Sequence, residues 1–378
     1  MKKRVYLDNA ATTQIDKSII DLMLNLMNND YGNPSSQHSL GRTTRSIIET
    51  SRKSISSILN TSPGNIFFTS GGTEADNMAI KCGIYNYDIK HAITTRTAHH
   101  AVLYPLEDLA KKGDIELSYV DVNSNGEVCL DNLDQILKNK PRSFVSIMHA
   151  NNEIGTIQDI KKIGDVCSQY DAIFHSDTVQ TVGHYLIDLI DINVHFITAS
   201  AHKFHGPKGI GFLYISDNIS VDPLILGGSQ ERNMRAGTEN LYGIAGMSKA
   251  MEIAYSNLTE DKKYISSVKG YMITELEKNI KGIEFFGNSN KLDDSLYTVL
   301  SCKFPENKNS EMLLFNLDIN GISCSGGSAC TSGTNKGSHV LKIIDPKNNR
   351  QGIRFSFSKY NTKDDIDYVI NKLKTLIS

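Results

Sequence analysis

Through its middle the 378-residue chain alternates short apolar runs with helix-spaced segments. Ile66-Phe67-Phe68 leads into Gly71-Gly72-Thr73, and Phe144-Val145-Ser146-Ile147-Met148 leads into His149-Ala150-Asn151-Asn152. Ala172-Ile173-Phe174 ends at Asp177, Phe196-Ile197-Thr198 ends at Lys203, and Gly209 to Ile215 forms another apolar run. Short buried runs separated by helices predict βα units around a mainly parallel sheet. Polar residues gather just past these runs, where open α/β sheets place their ligands. Beyond about residue 255 the pattern changes. Ile265, Val268, Met272, Ile273 and Leu276 follow helical spacing. Ile366, Val369, Ile370, Leu373 and Leu376 do the same after a predicted N-cap at Thr362. Tyr297 to Leu300 and Ile353 to Ser356 read as strands between these helices. The expectation is an α/β chain with a large domain over 14–255. A smaller α+β domain would be built from 1–13 and 256–378.

Composition narrows the function without naming it. The chain is 39% hydrophobic and 22% charged with a formal net charge of −2, ordinary for a folded domain. No basic excess points to nucleic acid. Met1-Lys2-Lys3-Arg4 resembles the start of a signal peptide, but Asp8 and Asn9 interrupt the apolar core that should follow. No run approaches the roughly 18 apolar residues of a membrane span. A cytoplasmic enzyme is expected. The six cysteines are scattered, with no Cys-x-x-Cys pair, so no zinc site is predicted.

Chemistry concentrates in a few segments. Asp177 closes one strand and Lys203 follows the next. A pyridoxal enzyme needs an amine for the cofactor carbonyl and a carboxylate to keep the pyridine nitrogen protonated. The same residues also fit a strand-end lysine and a helix-capping aspartate. Thr69-Ser70-Gly71-Gly72-Thr73-Glu74 joins a strand to a helix, where glycines and helix N–H groups receive phosphate or simply serve a turn. His99 has a flat ring suited to stacking or proton transfer, or to an ordinary structural role. The Gly- and Ser-rich stretch 323–337 reads as a surface loop holding Cys330, a mobile thiol or an incidental one. Arg354 is the natural fork for a carboxylate, and equally a common ion-pair residue.

Taken in order, these segments resemble the cysteine desulfurases, pyridoxal 5'-phosphate (PLP) enzymes of the class V aminotransferase type. The resemblance runs nearly end to end. Its blocks include Tyr6 to Thr13, Tyr31 to His38, Thr69 to Asn77, Asn151 to Gly155, Ser200 to Gly209, Gly227 to Glu231 and Arg235 to Asn240. Gly327-Ser328-Ala329-Cys330-Thr331-Ser332 is the most diagnostic block and is similar to the subgroup with a long catalytic loop, here about 323–338.

The resemblance implies the type I fold of PLP-dependent transferases and a set of roles. Lys203 would hold PLP as a Schiff base and move protons at the substrate's alpha carbon. Asp177 would pair with the pyridine nitrogen, while Gln180 and Asn152 hold the ring's polar edge. His99 would stack on the ring and serve as acid or base. Gly72, Thr73, Ser200 and His202 would bind the phosphate, and Thr238 would reach the phosphate of a second subunit in a homodimer. Asn33, Asn152 and Arg354 would bind the substrate carboxylate. Cys330 would take the sulfur of L-cysteine as a persulfide, leaving L-alanine. A sulfur-acceptor protein such as an iron–sulfur scaffold, or tRNA thiolation, would receive it. No resident metal is implied; only the Cys330 persulfide would touch a nascent cluster. A selenocysteine lyase or another class V PLP enzyme is the alternative.

The sequence departs from the family pattern in places. Ala98 stands where a Glu usually precedes the histidine, and Phe357-Ser358-Lys359 replaces Leu-Gly-Arg after Ser356. Cys324 is an additional thiol in the loop region, incidental or a relay to Cys330.

Overall fold

The computed structural model describes residues 3–306, 312–326, 338–348 and 350–377. Its strands are β1 (Val5–Tyr6), β2 (Ile66–Thr69), β3 (His91–Thr94), β4 (Glu116–Tyr119), β5 (Ser143–Ser146) and β6 (Ile173–Asp177). They continue with β7 (Phe196–Ser200), β8 (Gly211–Ile215), β9 (Glu284–Phe285), β10 (Val299–Lys303), β11 (Ile322–Ser323) and β12 (Gly352–Ser356).

Among the described residues the largest sheet has the order β2-β8-β7-β6-β5-β3-β4. Pairing is parallel from β4 through β7, and β8 runs antiparallel to both of its neighbours. Both faces are covered, so the strands read as unbroken apolar runs rather than alternating ones. Successive residues still diverge. Phe68, Val145, Phe174, Ile197 and Phe212 enter one core, while Phe67, Phe144, Ile173, Phe196 and Leu213 enter the opposite one. This is the period of two of a pleated strand.

The helix Gly72–Asn86 packs close against the sheet. A Cβ at its Gly83 would meet the Phe144 ring at 2.6 Å, so the small residue sets the distance between helix and sheet. The helices Ser39–Ile58 and Leu241–Ser256 contribute Ile48, Ile55, Ile244 and Met247 to the other face.

A second sheet, β12-β10-β9, is antiparallel. Its core joins Leu300, Cys302 and Phe355 to Ile265, Val268 and Met272 of one helix and Ile366, Val369 and Leu373 of another. The last helix spans Lys363–Ile377. Thr362 and Asp365 bond reciprocally, each side chain to the other's backbone N–H, which fixes its start. The N-terminus joins this second core: β1 pairs with β11, and Val5 and Leu7 are buried there. No helix among the described residues is long and apolar enough to cross a membrane, and no cluster of side chains there is placed to hold a metal ion.

Candidate active site at the carboxyl ends of the parallel strands

The parallel strands end around a cavity of about 230 Å³. Lys203, Asp177, His99, Thr73, Ser200 and Arg354 all face it, as do Gly72, Asn152, Gln180 and His202. Residues far apart in sequence meet because each follows its own strand.

One wall is built by the turn after β2. Gly71 has φ of 152° and precedes the helix without any side-chain cap, leaving the helix N-terminus open to a ligand. A Cβ on Gly72 would lie 2.7 Å from Val179 Cγ2, so the turn can sit this close to the strand β6 segment only as glycine. Thr73 and Ser200 bring hydroxyl groups to the same place.

Asp177, which also lines the cavity, is buried. Burial, and then the neighbouring Asp76, push its pKa up to about 6. Its Oδ1 accepts from Val179 N at 3.0 Å, and no ion pair to it forms among the described residues. A buried carboxylate that faces the cavity with no ion pair of its own among the described residues fits a protonated pyridine nitrogen. Lys203 follows β7 on a short turn, and its Nζ donates to Ala10 O at 2.6 Å and Ala11 O at 3.0 Å. Gln180 Nε2 donates to the same Ala10 carbonyl at 3.0 Å.

His99 is the N-cap of the helix His100–Lys112, and its Nδ1 accepts from Ala101 N at 3.1 Å. Burial lowers its pKa, so the neutral ring is favoured, with its proton on Nε2. The backbone therefore fixes the tautomer without an acid at 98. Ala98 itself is buried, and its carbonyl is 3.0 Å from His339 Nε2.

Arg354 lies on β12 with 2% exposure. Its Nη1 donates to Asn152 O at 2.9 Å and its Nη2 to Asp8 Oδ1 at 2.8 Å. Its Nε is buried and has no acceptor among the described residues. That orphan donor at the cavity wall fits a carboxylate ligand. The replaced residues after Ser356 leave this arrangement intact. Phe357 is buried, with its N–H on Thr298 O, and Lys359 pairs with Asp16.

Two expected residues are not brought to the cavity. Asn33 is exposed and its Oδ1 accepts from Ser35 N at 2.9 Å. Thr238 is exposed beside a separate cleft. Cys330 lies outside the described residues. Cys324, read in sequence as part of the loop, directly follows β11 and packs against the second core, where burial pushes its thiol far up.

Sequence reasoning missed Asp76. It lies at the cavity's base, accepts from Thr198 Oγ1 at 2.8 Å, and stands 3.4 Å from His175 Nε2. Burial pushes Asp76 up to about 7 and His175 down to about 4. An acid one turn beyond Thr73, on a helix face that must pack on the sheet, was the available signal.

The aminotransferase class-V family model matches residues 5–369. The chain belongs to that family, among its cysteine desulfurases. The cysteine desulfurase IscS of Dictyoglomus turgidum is 42% identical over 382 residues, covering 100% of this chain and 95% of that protein. The one from Clostridium botulinum strain Hall is 40% identical, with 100% and 95% covered. Among solved structures, a NifS-like protein superposes with a TM-score of 0.90 at 35% identity, covering 99% of each chain. SspA in complex with cysteine superposes at 0.80 with 30% identity, covering 96% of this chain and 100% of the other. As a cysteine desulfurase the chain uses PLP, and the cavity's open helix N-terminus, unpaired Asp177 carboxyl and facing Lys203 suit it.

Proposed function

We propose that this chain converts L-cysteine to L-alanine and passes the sulfur through Cys330 to an acceptor protein for iron–sulfur cluster assembly or tRNA thiolation. The carrying observation is the convergence of Lys203, Asp177 and the orphan Nε of Arg354 on one cavity. Bound PLP would supply an electron sink for carbanion chemistry at the substrate's alpha carbon. The turn at Gly72 and Thr73, with Ser200 and His202, would hold its phosphate, and Asp177 its ring nitrogen. Asn152 and Gln180 would hold the ring's polar edge.

Arg354 would orient the substrate carboxylate, and Asn33 would assist if a second copy presents it. Lys203 would carry the alpha proton, and His99 would exchange protons from Nε2. Cys330 as a thiolate would then take the substrate sulfur: its S–S bond forms as the substrate's Cβ–S bond breaks, and the electron pair stays on carbon. The reading includes a homodimer in the cytoplasm, with Thr238 serving the partner's phosphate. Its large domain would be 14–255, and its small domain 1–13 with 256–378.

The test is incubation of purified protein with L-cysteine and a thiol reductant. Sulfide and alanine in equal amounts support the reading. Full activity in Cys330→Ala, or turnover confined to selenocysteine, overturns it in favour of a lyase.

A further inference from the structure

The stretch that follows Asp177 passes from one core to the other. Val182 is buried in the first core, and Tyr185 packs against the second. Thr181 O accepts from both His184 N and Tyr185 N at 2.9 Å, so a tight turn fixes where these two side chains start. Gly183 has φ of 81°, and a Cβ there would lie 2.5 Å from Phe204 Cβ. Phe204 directly follows Lys203. The bare glycine thus lets His184 come up against the short turn Ala201–Lys203.

His184 uses both ring nitrogens. Nε2 is 3.1 Å from Lys203 O, and Nδ1 is 2.9 Å from the Tyr297 hydroxyl. A carbonyl only accepts, so Nε2 carries the proton and Nδ1 accepts from Tyr297. Burial pushes the His184 imidazole down and the Tyr297 phenol up, so both stay neutral. The ring is held in one tautomer and one orientation.

The far end of this link is fixed as well. Tyr297 is buried in the second core, and its N–H donates to Tyr185 Oη at 3.4 Å. Leu296 N donates to Gly155 O at 2.7 Å, and Leu296 O accepts from buried Lys269 Nζ at 3.0 Å. Two residues beyond Tyr297 β10 begins, and it pairs with β12 so that Ser301 stands opposite Arg354. The backbone of Lys203 is therefore tied, through His184 and Tyr297, to the sheet that carries Arg354. Neither His184 nor Tyr297 lines the cavity.

On the reading that PLP joins Lys203, we propose that His184 and Tyr297 are positioning residues for that lysine. His184 holds the Lys203 carbonyl, and Tyr297 holds His184 in the tautomer that can donate. Together they set where the lysine amine stands relative to the arginine that meets the substrate carboxylate.

The experiment mixes apo-protein with saturating PLP, quenches with borohydride at intervals, and maps the modified peptide by mass. It reads the rate at which PLP becomes fixed on Lys203. His184→Phe keeps a flat ring and loses both hydrogen bonds, and attachment should slow about 10-fold, as loss of a buried hydrogen bond does. His184→Gln keeps one donor and one acceptor on a planar group and should attach nearly as fast as wild type. Tyr297→Phe should fall between them, and should add nothing further in the His184→Phe background, because the link is already broken. Tyr185→Phe takes a hydroxyl from the same contact without touching His184, and should match wild type. A merely structural role would make Tyr185→Phe and Tyr297→Phe alike. Attachment at the wild-type rate in His184→Phe, or faster in His184→Phe than in His184→Gln, overturns the positioning role. Should His184→Phe fail to fold, equal rates in Tyr185→Phe and Tyr297→Phe overturn it. PLP fixed on a lysine other than Lys203 in the wild type overturns the Lys203 reading, and the positioning role with it.

Discussion

Asp8 Oδ1 lies 2.8 Å from Arg354 Nη2, so the guanidinium proposed for the substrate is already paired on one prong. Ser325 Oγ donates to the same oxygen at 2.8 Å. The pairing keeps a buried cation satisfied before substrate arrives and fixes which way its remaining donor points. Arg354→Lys should raise KM for L-cysteine about 10- to 100-fold, the worth of a lost charge-assisted fork. The visible spectrum of bound PLP should not change. Asp8→Asn should act in the same direction and less strongly. Steady-state alanine formation measures both, and a KM within twofold of wild type in Arg354→Lys would remove this arginine from the substrate site.

Asp177 gives a pH prediction for the apo-protein. Its pKa stands near 6 in the folded chain against an ordinary 3.8. The folded state therefore binds its proton more tightly. The stability this contributes is complete below 3.8 and is lost as pH rises through about 6. Buried His149, His175 and His202, each pushed down to about 4, act in the opposite direction. The informative quantity is therefore the difference between wild type and Asp177→Asn. Wild type should lose stability relative to the variant by about 1.4 kcal/mol per pH unit across that window. Thermal melts of apo-protein from pH 4 to 7 measure it; a constant difference would show that Asp177 titrates normally.

The strands were legible because a sheet covered on both faces leaves continuous apolar runs, as at Phe144 to Met148 and Phe196 to Thr198. The site residues were legible because each follows such a run. The reversed direction of β8 was not, since an apolar run carries no sign of which way its partner points. Asp76 was hidden because its partners, Thr198 and His175, come from other strands. The packing of Cys324 against the second core was hidden for a related reason. Its Gly- and Ser-rich neighbourhood suggested a loop from one side of the chain. Ser325, however, exchanges two backbone hydrogen bonds with Arg354 of β12, at 3.2 and 2.7 Å. Tertiary pairing overrode local composition there.

That placement decides how the thiols should react. The thiolate is the reactive form, and burial holds the Cys324 thiol far above the ordinary range. Cys82 and Cys167 are raised by burial too, Cys82 to about 11 and Cys167 to about 12. Cys129 is exposed. Brief treatment of the native protein with iodoacetamide should label Cys129 and Cys330, and leave Cys324 unmodified on peptide mapping. Cys324→Ala should keep activity within about twofold, as expected for a small, half-buried side chain outside the chemistry. Early labelling of Cys324, or loss of sulfide release in that variant, would restore it as a relay.

Ser338 is where the described structure resumes after 327–337, and it is anchored from two sides. Its Oγ donates to buried Glu153 and accepts from Leu341 N at 3.0 Å, capping the helix His339–Ile344. Glu153 belongs to the turn in which Asn151 Oδ1 accepts from Glu153 N at 2.9 Å while Asn151 Nδ2 donates to Thr97 O at 3.0 Å. His339 adds its contact to Ala98 O and packs against His100 with ring centres 4.5 Å apart. The chain at Ser338 and His339 is thereby fastened to the segment that carries His99. If Cys330 must reach the substrate from a fixed base, loosening that base should slow sulfur removal and spare cofactor binding. Ser338→Ala should lower kcat for sulfide release about 10-fold, the loss of a buried hydrogen bond together with a helix cap. PLP affinity should stay at the wild-type value, and Ser338→Thr, which keeps the hydroxyl, should restore most of the rate. Comparing sulfide release with PLP titration in the same preparations separates the two effects. Equal losses in both would mean that Ser338 supports the whole site and has no particular hold on the sulfur-transfer step.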